Sequence, residues 1–345
     1  MIKKNNLIGK RVENELNLHK THPGLRVDKP PFPQNLIIDL CNGCNHECLF
    51  CMNRLMTRKV KRMSFNFYKK VLKEAKKLGV KELGLYATGE PFMHTKLEEF
   101  VLLAKEMGFS YVYTTTNGAL VDEKRLKKVI DCGLDSIKFS VNAGSRKTYK
   151  TIHGKDEWEK VCKNINFVSN YRDNQNLDIK LSISSVVTNL TFHEKEDLRK
   201  KFENIVDEIF FSECDYQQGQ MLANEAIVNT IDHSYQVCNL PFYRAHISSE
   251  GFLTMCCVDY QNYLATADLN KTSLLEAWHS DLFVDMRRRH IDNSLEGTLC
   301  FNCLNSCNSK IMPLNKSLAH AIDFKEFYNA SKEEMQITIQ ERKNI

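Results

Sequence analysis

A unit of one helix and one short apolar strand recurs through the first two thirds of the chain, with glycines at the junctions. Ser64 can cap a helix whose apolar residues recur about every 3.6 positions, and Gly79 suits the left-handed conformation of a helix C-terminus. Further helices are predicted near residues 96–107, after Asp122, and around 157–171 and 194–205. The predicted strands are residues 36–40, 83–87, 111–115, 136–141, 179–187 and 208–212. Such regular alternation predicts a parallel sheet with helical crossovers, which makes the fold class α/β.

Three cysteines, Cys44, Cys48 and Cys51, lie within eight residues shortly after the first predicted strand. Three thiolates are one short of a closed structural zinc site, whereas a [4Fe–4S] cluster held by three cysteines keeps one iron open to another ligand. The alternative is a zinc knuckle that borrows Cys41 or His46 as its fourth ligand.

The Cys-x3-Cys-x2-Cys spacing, with Phe50 directly before the last cysteine, resembles the signature of the radical SAM superfamily. At the end of the second predicted strand, Thr88-Gly89-Glu90-Pro91 resembles the Gly-Gly-Glu-Pro element of that family, with Thr88 in place of the first glycine. The resemblance implies a partial (β/α)6 TIM-like barrel and a [4Fe–4S] cluster on the three cysteines. It also implies S-adenosylmethionine on the open iron, with Phe50 near the adenine and the turn at residues 88–91 holding the methionine amino group.

Two serines near the ends of predicted strands are further candidates for cofactor binding. Active sites in βα barrels are built at the carboxyl ends of the strands. By the resemblance, Ser140 on strand four would hydrogen-bond the ribose or the carboxylate of S-adenosylmethionine, and Ser184 on strand five is a second candidate. The alternative for both serines is simple packing within a strand.

The βα alternation stops after about residue 212, and six of the thirteen cysteines fall between Cys238 and Cys307. The order Cys-x12-Gly-x4-Cys, followed later by Cys-x2-Cys, resembles the SPASM and twitch extensions of radical SAM enzymes. The resemblance implies a second, auxiliary [4Fe–4S] cluster, closed by the four thiolates of Cys238, Cys256, Cys300 and Cys303.

Alternatives at this second site remain open from the sequence. Cys257 competes with Cys256, which is preferred only because the Gly-x4-Cys count ends on it, and a structural zinc site with four cysteines has the same ligands. After Cys303 only Cys307 remains, at the wrong spacing for another cluster. We therefore expect one auxiliary cluster, as in the shorter twitch form.

The predicted organisation has four parts: an N-terminal lead-in at residues 1–34, a barrel at 35–215, an auxiliary cluster domain at 216–312 and a helical tail at 313–345. No run of about eighteen apolar residues is present to span a bilayer, and no hydrophobic signal segment follows the N-terminus, so a cytoplasmic protein is expected. Thirteen cysteines in that compartment indicate metal or redox chemistry rather than disulfides.

The resemblance implies an enzyme that reductively cleaves S-adenosylmethionine to a 5′-deoxyadenosyl radical, which abstracts a substrate hydrogen atom. If the auxiliary cluster accepts an electron while a base takes a proton, a secondary alcohol becomes a ketone. We therefore expect oxidation of a sugar-like or aminocyclitol substrate, with flavodoxin or ferredoxin as electron donor. Asp215, Glu213 and His153 are the candidate bases near strand ends.

Two other function classes stay open. A peptide-modifying maturase or epimerase is one, although about forty residues ahead of the first cysteine are too few for a winged-helix leader-binding module. The other is a non-enzymatic interaction protein with two zinc sites. The net charge of +5 is modest for 345 residues, and a nucleic acid partner is not expected.

Two basic runs are predicted to be solvated surface rather than function. One follows the first cysteine group and includes Arg54, Arg58 and Arg62. The other, residues 287–290, is expected on an exposed helix face.

Overall fold

The computed structural model describes residues 26–214, 237–305, 307, 309–320, 334, 336–338 and 340–342. Its first six strands are β1 (Asn35–Ile38), β2 (Glu82–Gly84), β3 (Tyr111–Thr116), β4 (Ser136–Ser140), β5 (Lys180–Val187) and β6 (Glu208–Glu213). These strands are parallel and lie in the order of the sequence, from β1 to β6. The predicted α/β class with six parallel strands is therefore confirmed.

Helices connect these strands as expected from a parallel sheet. They are α1 (Phe65–Lys77), α2 (Leu97–Glu106), α3 (Glu123–Asp131), α4 (Arg146–His153), α5 (Trp158–Asn174) and α6 (Lys195–Phe202). The predicted caps are confirmed, since Ser64 accepts a hydrogen bond from Phe67 N and Asp122 accepts one from Arg125 N. Helix α4 is an addition to the prediction. It begins after the capping residue Ser145 and ends at the left-handed Gly154.

The C-terminal part continues the same sheet. Strand β7 (Arg244–Ile247) pairs in parallel with β1, and β8 (Phe252–Thr254) and β9 (Ala265–Asp268) follow in antiparallel order. The nine strands form one sheet in the order β6-β5-β4-β3-β2-β1-β7-β8-β9. The segment predicted to hold the auxiliary site is thus joined to the barrel through backbone hydrogen bonds beside β1.

Four further helices belong to this C-terminal part: α7 (Leu240–Tyr243), α8 (Leu274–Trp278), α9 (Asp281–Ile291) and α10 (Leu299–Asn305). Ser273 and Glu276 close the N-terminus of α8 in a reciprocal capping box. None of the described helices is long and apolar enough to cross a membrane.

The two faces of the sheet differ. On the outer face, alternate strand residues such as Leu36, Leu83 and Ile137 join the main hydrophobic core with the helices. The opposite face, which we call the inner face, carries a smaller aromatic group made of Ile37, Tyr86, Ala87, Tyr111, Tyr113 and Phe210. Because successive strand residues point to opposite sides, this second group marks the side that faces away from the helices.

The basic run in α9 is only partly exposed, which corrects the predicted solvated face. Arg287 is fully buried, with its guanidinium carbon 3.9 Å from the ring centroid of Trp278 and its Nε donating to Pro241 O at 2.9 Å. His290 is fully buried as well, whereas Arg288 is exposed. The reason is the helical period: residues three apart share a face, and here that face meets the core.

Candidate functional site

The first three cysteines lie in the loop that follows β1. Each thiol has its own hydrogen-bonding neighbour, from the loop itself, from α4 and from the C-terminal part, respectively. The backbone N–H of His46 lies 3.5 Å from Cys44 Sγ, and Nδ1 of His153 lies 3.4 Å from Cys48 Sγ. The hydroxyl of Tyr260 lies 3.6 Å from Cys51 Sγ.

Burial raises the pKa of all three thiols, to about 12 for Cys44. The nearby charges of Cys51 and then Cys44 raise the pKa of Cys48 further, in addition to burial. Three neighbouring thiolates in a partly buried loop repel one another unless a metal centre balances their charge. The donor set therefore fits an iron–sulfur cluster held by three cysteines.

The turn at residues 88–91 packs directly on the cysteine loop. A Cβ at Gly89 would overlap the carbonyl oxygens of Cys41 and Gly43, so only glycine fits at this contact. The backbone N–H of Glu90 donates to Gly43 O at 2.8 Å. Asn53 joins the two segments from the other side, with Nδ2 donating to Asn42 O and Thr88 O, both at 2.7 Å.

The carboxylate of Glu90 is buried and already holds three donors. Oε1 accepts from Phe92 N at 3.0 Å and from the Thr116 hydroxyl at 2.7 Å, and Oε2 accepts from Asn117 N at 2.7 Å. Burial nevertheless raises the pKa of Glu90. Since a carboxylate oxygen can accept two hydrogen bonds, Oε2 keeps one acceptor position for an ammonium group.

The remaining candidates for cofactor binding flank this region. Phe50 is buried in a small apolar group that includes Leu49 and Tyr260, while Pro91 begins a short 3-10 helix directly after Glu90. Ser140 and Ser184 are partners in the register of β4 and β5, with their hydroxyl oxygens 3.4 Å apart. The structure thus brings the two serines together, with Ser140 at the carboxyl end of β4 and Ser184 in the middle of β5.

The three candidate bases are placed differently. His153 is fully buried, with Nε2 2.7 Å from Val141 O and burial lowering its pKa to about 3. This histidine supports the cysteine loop at Cys48 and is not positioned as a substrate base. Glu213 is exposed at the end of β6 and alternates with Ser212 and Phe210, so it lies on the side opposite the inner face. Asp215 lies outside the described residues.

The four cysteines predicted for the auxiliary site line one apolar cavity, which holds Cys238, Cys256, Cys300 and Cys303 together with His290, Leu240, Pro241, Met255, Leu264 and Leu304. Burial raises the pKa of Cys238 to about 11 and raises that of Cys300 well above its usual range. Cys257 is not part of the lining, and the Cys307 thiol lies 3.3 Å from Asn302 Oδ1 instead. The geometry therefore favours Cys256 over Cys257.

A buried ion pair connects the first cysteine loop to the C-terminal part, which corrects the expectation that this basic run is solvated throughout. Arg58 Nη1 lies 2.8 Å from both carboxylate oxygens of Glu250 and 2.8 Å from Asn262 Oδ1. Its Nε donates to Tyr260 O at 2.7 Å. Tyr260 therefore meets the loop twice, through Arg58 and through Cys51. These contacts join residues about 200 positions apart, which local sequence patterns do not reveal.

Comparisons with known proteins agree with this arrangement. The model of the radical SAM superfamily matches residues 38–207, and that of the SPASM iron–sulfur cluster-binding domain matches residues 238–304. A probable GTP 3′,8-cyclase of Saccharolobus solfataricus is 27% identical over 271 residues, or 69% of this chain and 87% of that protein. An uncharacterized protein of Methanocaldococcus jannaschii is 29% identical over 55% of this chain, and the alignment spans 60% of that relative.

Solved structures share the fold at low identity. BtrN in complex with AdoMet and 2-DOIA has a TM-score of 0.55 at 16% identity, covering 81% of this chain and 94% of BtrN. Streptococcus suis SuiB bound to the precursor peptide SuiA has a TM-score of 0.62 at 16% identity, covering 82% of this chain and 72% of SuiB. The fold and the two cysteine groups define an iron–sulfur protein with a barrel site and an auxiliary site. The chain belongs to the radical SAM superfamily and carries a C-terminal SPASM domain.

Proposed function

We propose that this chain is a radical SAM enzyme that oxidises a secondary alcohol of a sugar-like or aminocyclitol substrate, with Cys44, Cys48 and Cys51 as ligands of the first cluster. When bound, the cofactors supply one electron to cleave S-adenosylmethionine, a 5′-deoxyadenosyl radical to take a hydrogen atom from the carbinol carbon, and an auxiliary acceptor for the electron that leaves the substrate. The alcohol also loses its hydroxyl proton to a base, so the carbon ends as a ketone.

The residues of this chain bind S-adenosylmethionine and position the substrate next to it. The turn at residues 88–91 holds the methionine amino group, with the remaining acceptor position of Glu90 directed to it. Ser140 and Ser184 hydrogen-bond the ribose or the carboxylate, and Phe50 packs near the adenine. Holding the reacting carbon against the cofactor in a closed site restricts the radical to one hydrogen atom. Asp215 stays the predicted base among the three candidates.

What supports the proposal is that one sheet carries both cysteine groups, since β1 leads into the first cysteine loop and its neighbour β7 leads through β8 to Cys256. Burial raises the pKa of Tyr86 on the inner face. The charge of Arg244 lowers this pKa, and the charge of Cys257 raises it. Cys257 directly follows Cys256 of the auxiliary cavity. Ser140 is the last residue of β4 and alternates with the core residue Phe139, so it lies on the same inner face. We place the substrate on this inner face.

The alignment with probable GTP 3′,8-cyclases favours a second candidate function, the radical cyclisation of a nucleotide. It covers 87% of those relatives, so it includes most of their length. Product analysis after incubation with GTP, compared with aminocyclitols and sugars, separates the two candidates: a cyclised nucleotide supports the second and a ketone supports the first.

The proposal is tested by S-adenosylmethionine cleavage in anaerobically reconstituted protein reduced with dithionite. We expect 5′-deoxyadenosine from the parent protein and none after joint replacement of Cys44, Cys48 and Cys51 by alanine, because no open iron remains. The triple variant should also lose about half of the roughly eight irons per chain expected for two [4Fe–4S] clusters. Normal cleavage by the triple variant would disprove the ligand assignment, and tightly bound zinc in place of iron would disprove the enzyme itself.

A further inference from the structure

Lys138 is a charged side chain on the inner face that the proposed chemistry does not use. It lies in the middle of β4, where its neighbours Ile137 and Phe139 are fully buried in the helix-covered core. Alternation along the strand therefore directs Lys138 and Ser140 to the inner face. Two residues along a strand span about 7 Å, so the backbone of Lys138 lies about that far from Ser140, toward the amino end of β4.

Aromatic rings from two distant strands converge on this ammonium. Lys138 Nζ lies 6.0 Å from the ring centroid of Tyr86, which follows β2, and 5.7 Å from that of Phe210 on β6. Strand β4 is two strands away from each of them in the sheet order. Both rings can reach the same ammonium only because the sheet curves around it. Lys138 therefore lies within the concavity of the sheet.

The charge of Lys138 is poorly balanced in the described part of the chain. Lys138 forms no ion pair and no hydrogen bond there, and it is only partly exposed. Burial lowers its pKa, the positive charge of Arg244 lowers it further, and Cys257 and Glu208 act in the opposite direction. Glu208 is the only described carboxylate that acts on the pKa of Lys138. A buried charge without a partner is costly, and it persists where a ligand supplies the counter-charge.

We propose that Lys138 binds an anionic group of the substrate, a carboxylate or a phosphate, on the inner face. This inference rests on the proposed function and narrows its substrate to molecules that carry such a group. The flanking rings of Tyr86 and Phe210 exclude water around the contact, which strengthens a charge-assisted hydrogen bond. Arg244 adds positive potential that attracts the same anion.

The test measures anion binding to the full chain, reconstituted with iron and sulfide under nitrogen, with S-adenosylmethionine present and without reductant. The probes are pyrophosphate and glutarate, with sodium chloride at equal ionic strength as the reference. Calorimetry gives the dissociation constants, and thermal unfolding gives the change in melting temperature on binding. Binding of pyrophosphate assigns a phosphate group to the substrate, and binding of glutarate assigns a carboxylate.

Lys138→Met keeps the length of the side chain and removes its charge, so it should weaken binding of the preferred anion at least tenfold. It should also raise the melting temperature of the anion-free protein, whereas a purely structural lysine would lower it on replacement. The matched control is Lys163→Met, whose side chain is 72% exposed and pairs with Glu123 on the outside. That control should leave both quantities unchanged.

The inference is overturned if the parent protein binds neither anion more tightly than chloride, if Lys138→Met binds the anion as the parent does, or if this variant fails to fold. These failures are distinct from failure of the proposed function. Parent protein that cleaves S-adenosylmethionine but binds neither anion defeats only the anion site. Parent protein that binds an anion through Lys138 but never cleaves the cofactor defeats only the enzyme assignment.

Discussion

Gly89 shows how a single residue sets the distance between the cofactor turn and the cysteine loop. Its missing side chain lets the turn meet the backbone carbonyls of Cys41 and Gly43. Backbone atoms cannot move aside as a flexible side chain can, so Gly89→Ala should separate the two segments and cost more than about 3 kcal/mol of folding stability. We expect less iron to be retained after reconstitution and a lower urea midpoint, measured on the same preparation.

Gly79→Ala is the matched control for that change. Gly79 has a positive φ of 83°, but a Cβ there would meet nothing within 4 Å. The control should therefore cost only about 1 kcal/mol, from its left-handed backbone, and keep its full iron content. Equal urea midpoints and equal iron in the two variants would show that the contact at Gly89 does not position the loop.

Other residues show where sequence reasoning ends at this scale. The turn at residues 88–91 was identifiable from its residues, but two of the three donors on the Glu90 carboxylate were not, because Thr116 and Asn117 lie at the end of the next strand. Tyr260 was not predicted for the same reason, since about 200 residues separate it from Cys51. Side-chain contacts between distant segments depend on the folded arrangement and have no local pattern.

At the scale of elements, the contact between the first cysteine loop and the C-terminal part depends on the pair Arg58–Glu250. The side chains are 3% and 20% exposed, respectively. Arg58→Met leaves the mostly buried Glu250 carboxylate without its cation, so we expect a loss of about 2–3 kcal/mol in urea unfolding. This loss of stability is at or below the loss expected for breaking a fully buried ion pair, because the Glu250 side chain keeps some contact with solvent.

The control for this pair is Lys96→Met, which removes an exposed ion pair with Glu99, where the side chains are 58% and 47% exposed. Its effect should stay below about 0.5 kcal/mol. A double-mutant cycle with Glu250→Gln then isolates the coupling between Arg58 and Glu250. Coupling indistinguishable from zero would mean that the two parts are held by the shared sheet alone.

The elements themselves were largely predictable, and the exceptions have physical causes. Six strands and five of their helices followed from apolar spacing, caps and glycines, with ends that differ by a few residues. Helix α4 was missed because its eight residues bury few apolar side chains, although Ser145 and Gly154 mark its two ends. The pairing of β7 with β1 was out of reach, since short strands that join a sheet across about 200 residues leave no periodic signal.

At the scale of the whole molecule, one continuous sheet carries both cysteine groups. Strand β1 leads into the first cysteine loop, and its neighbour β7 leads through β8 to Cys256. This shared sheet fixes the auxiliary cavity relative to the first cysteine loop. The ion pair between Arg58 and Glu250 is a second connection between the same two parts.

The last prediction separates the roles of the two sites. Replacing Cys300 and Cys303 together by alanine removes half of the predicted auxiliary ligands, so roughly four irons per chain should be lost. Cleavage of S-adenosylmethionine to 5′-deoxyadenosine should continue, because the first cysteine loop is intact, while formation of oxidised substrate collapses for want of an electron acceptor. Iron analysis, electron paramagnetic resonance and product assays on the same sample measure the three quantities.

Stability has to be checked in that experiment, since a cluster with four thiolates also crosslinks α10 to the segment around Cys238. Cys307→Ala is the control within the same segment, because the Cys307 thiol donates a hydrogen bond to Asn302 Oδ1 and does not line the cavity. It should keep both clusters and full product yield. A folded Cys300/Cys303 variant that still oxidises its substrate at the parent rate would show that the auxiliary site has no part in the electron transfer, and a Cys307 variant that loses iron would move the ligand set to Cys307.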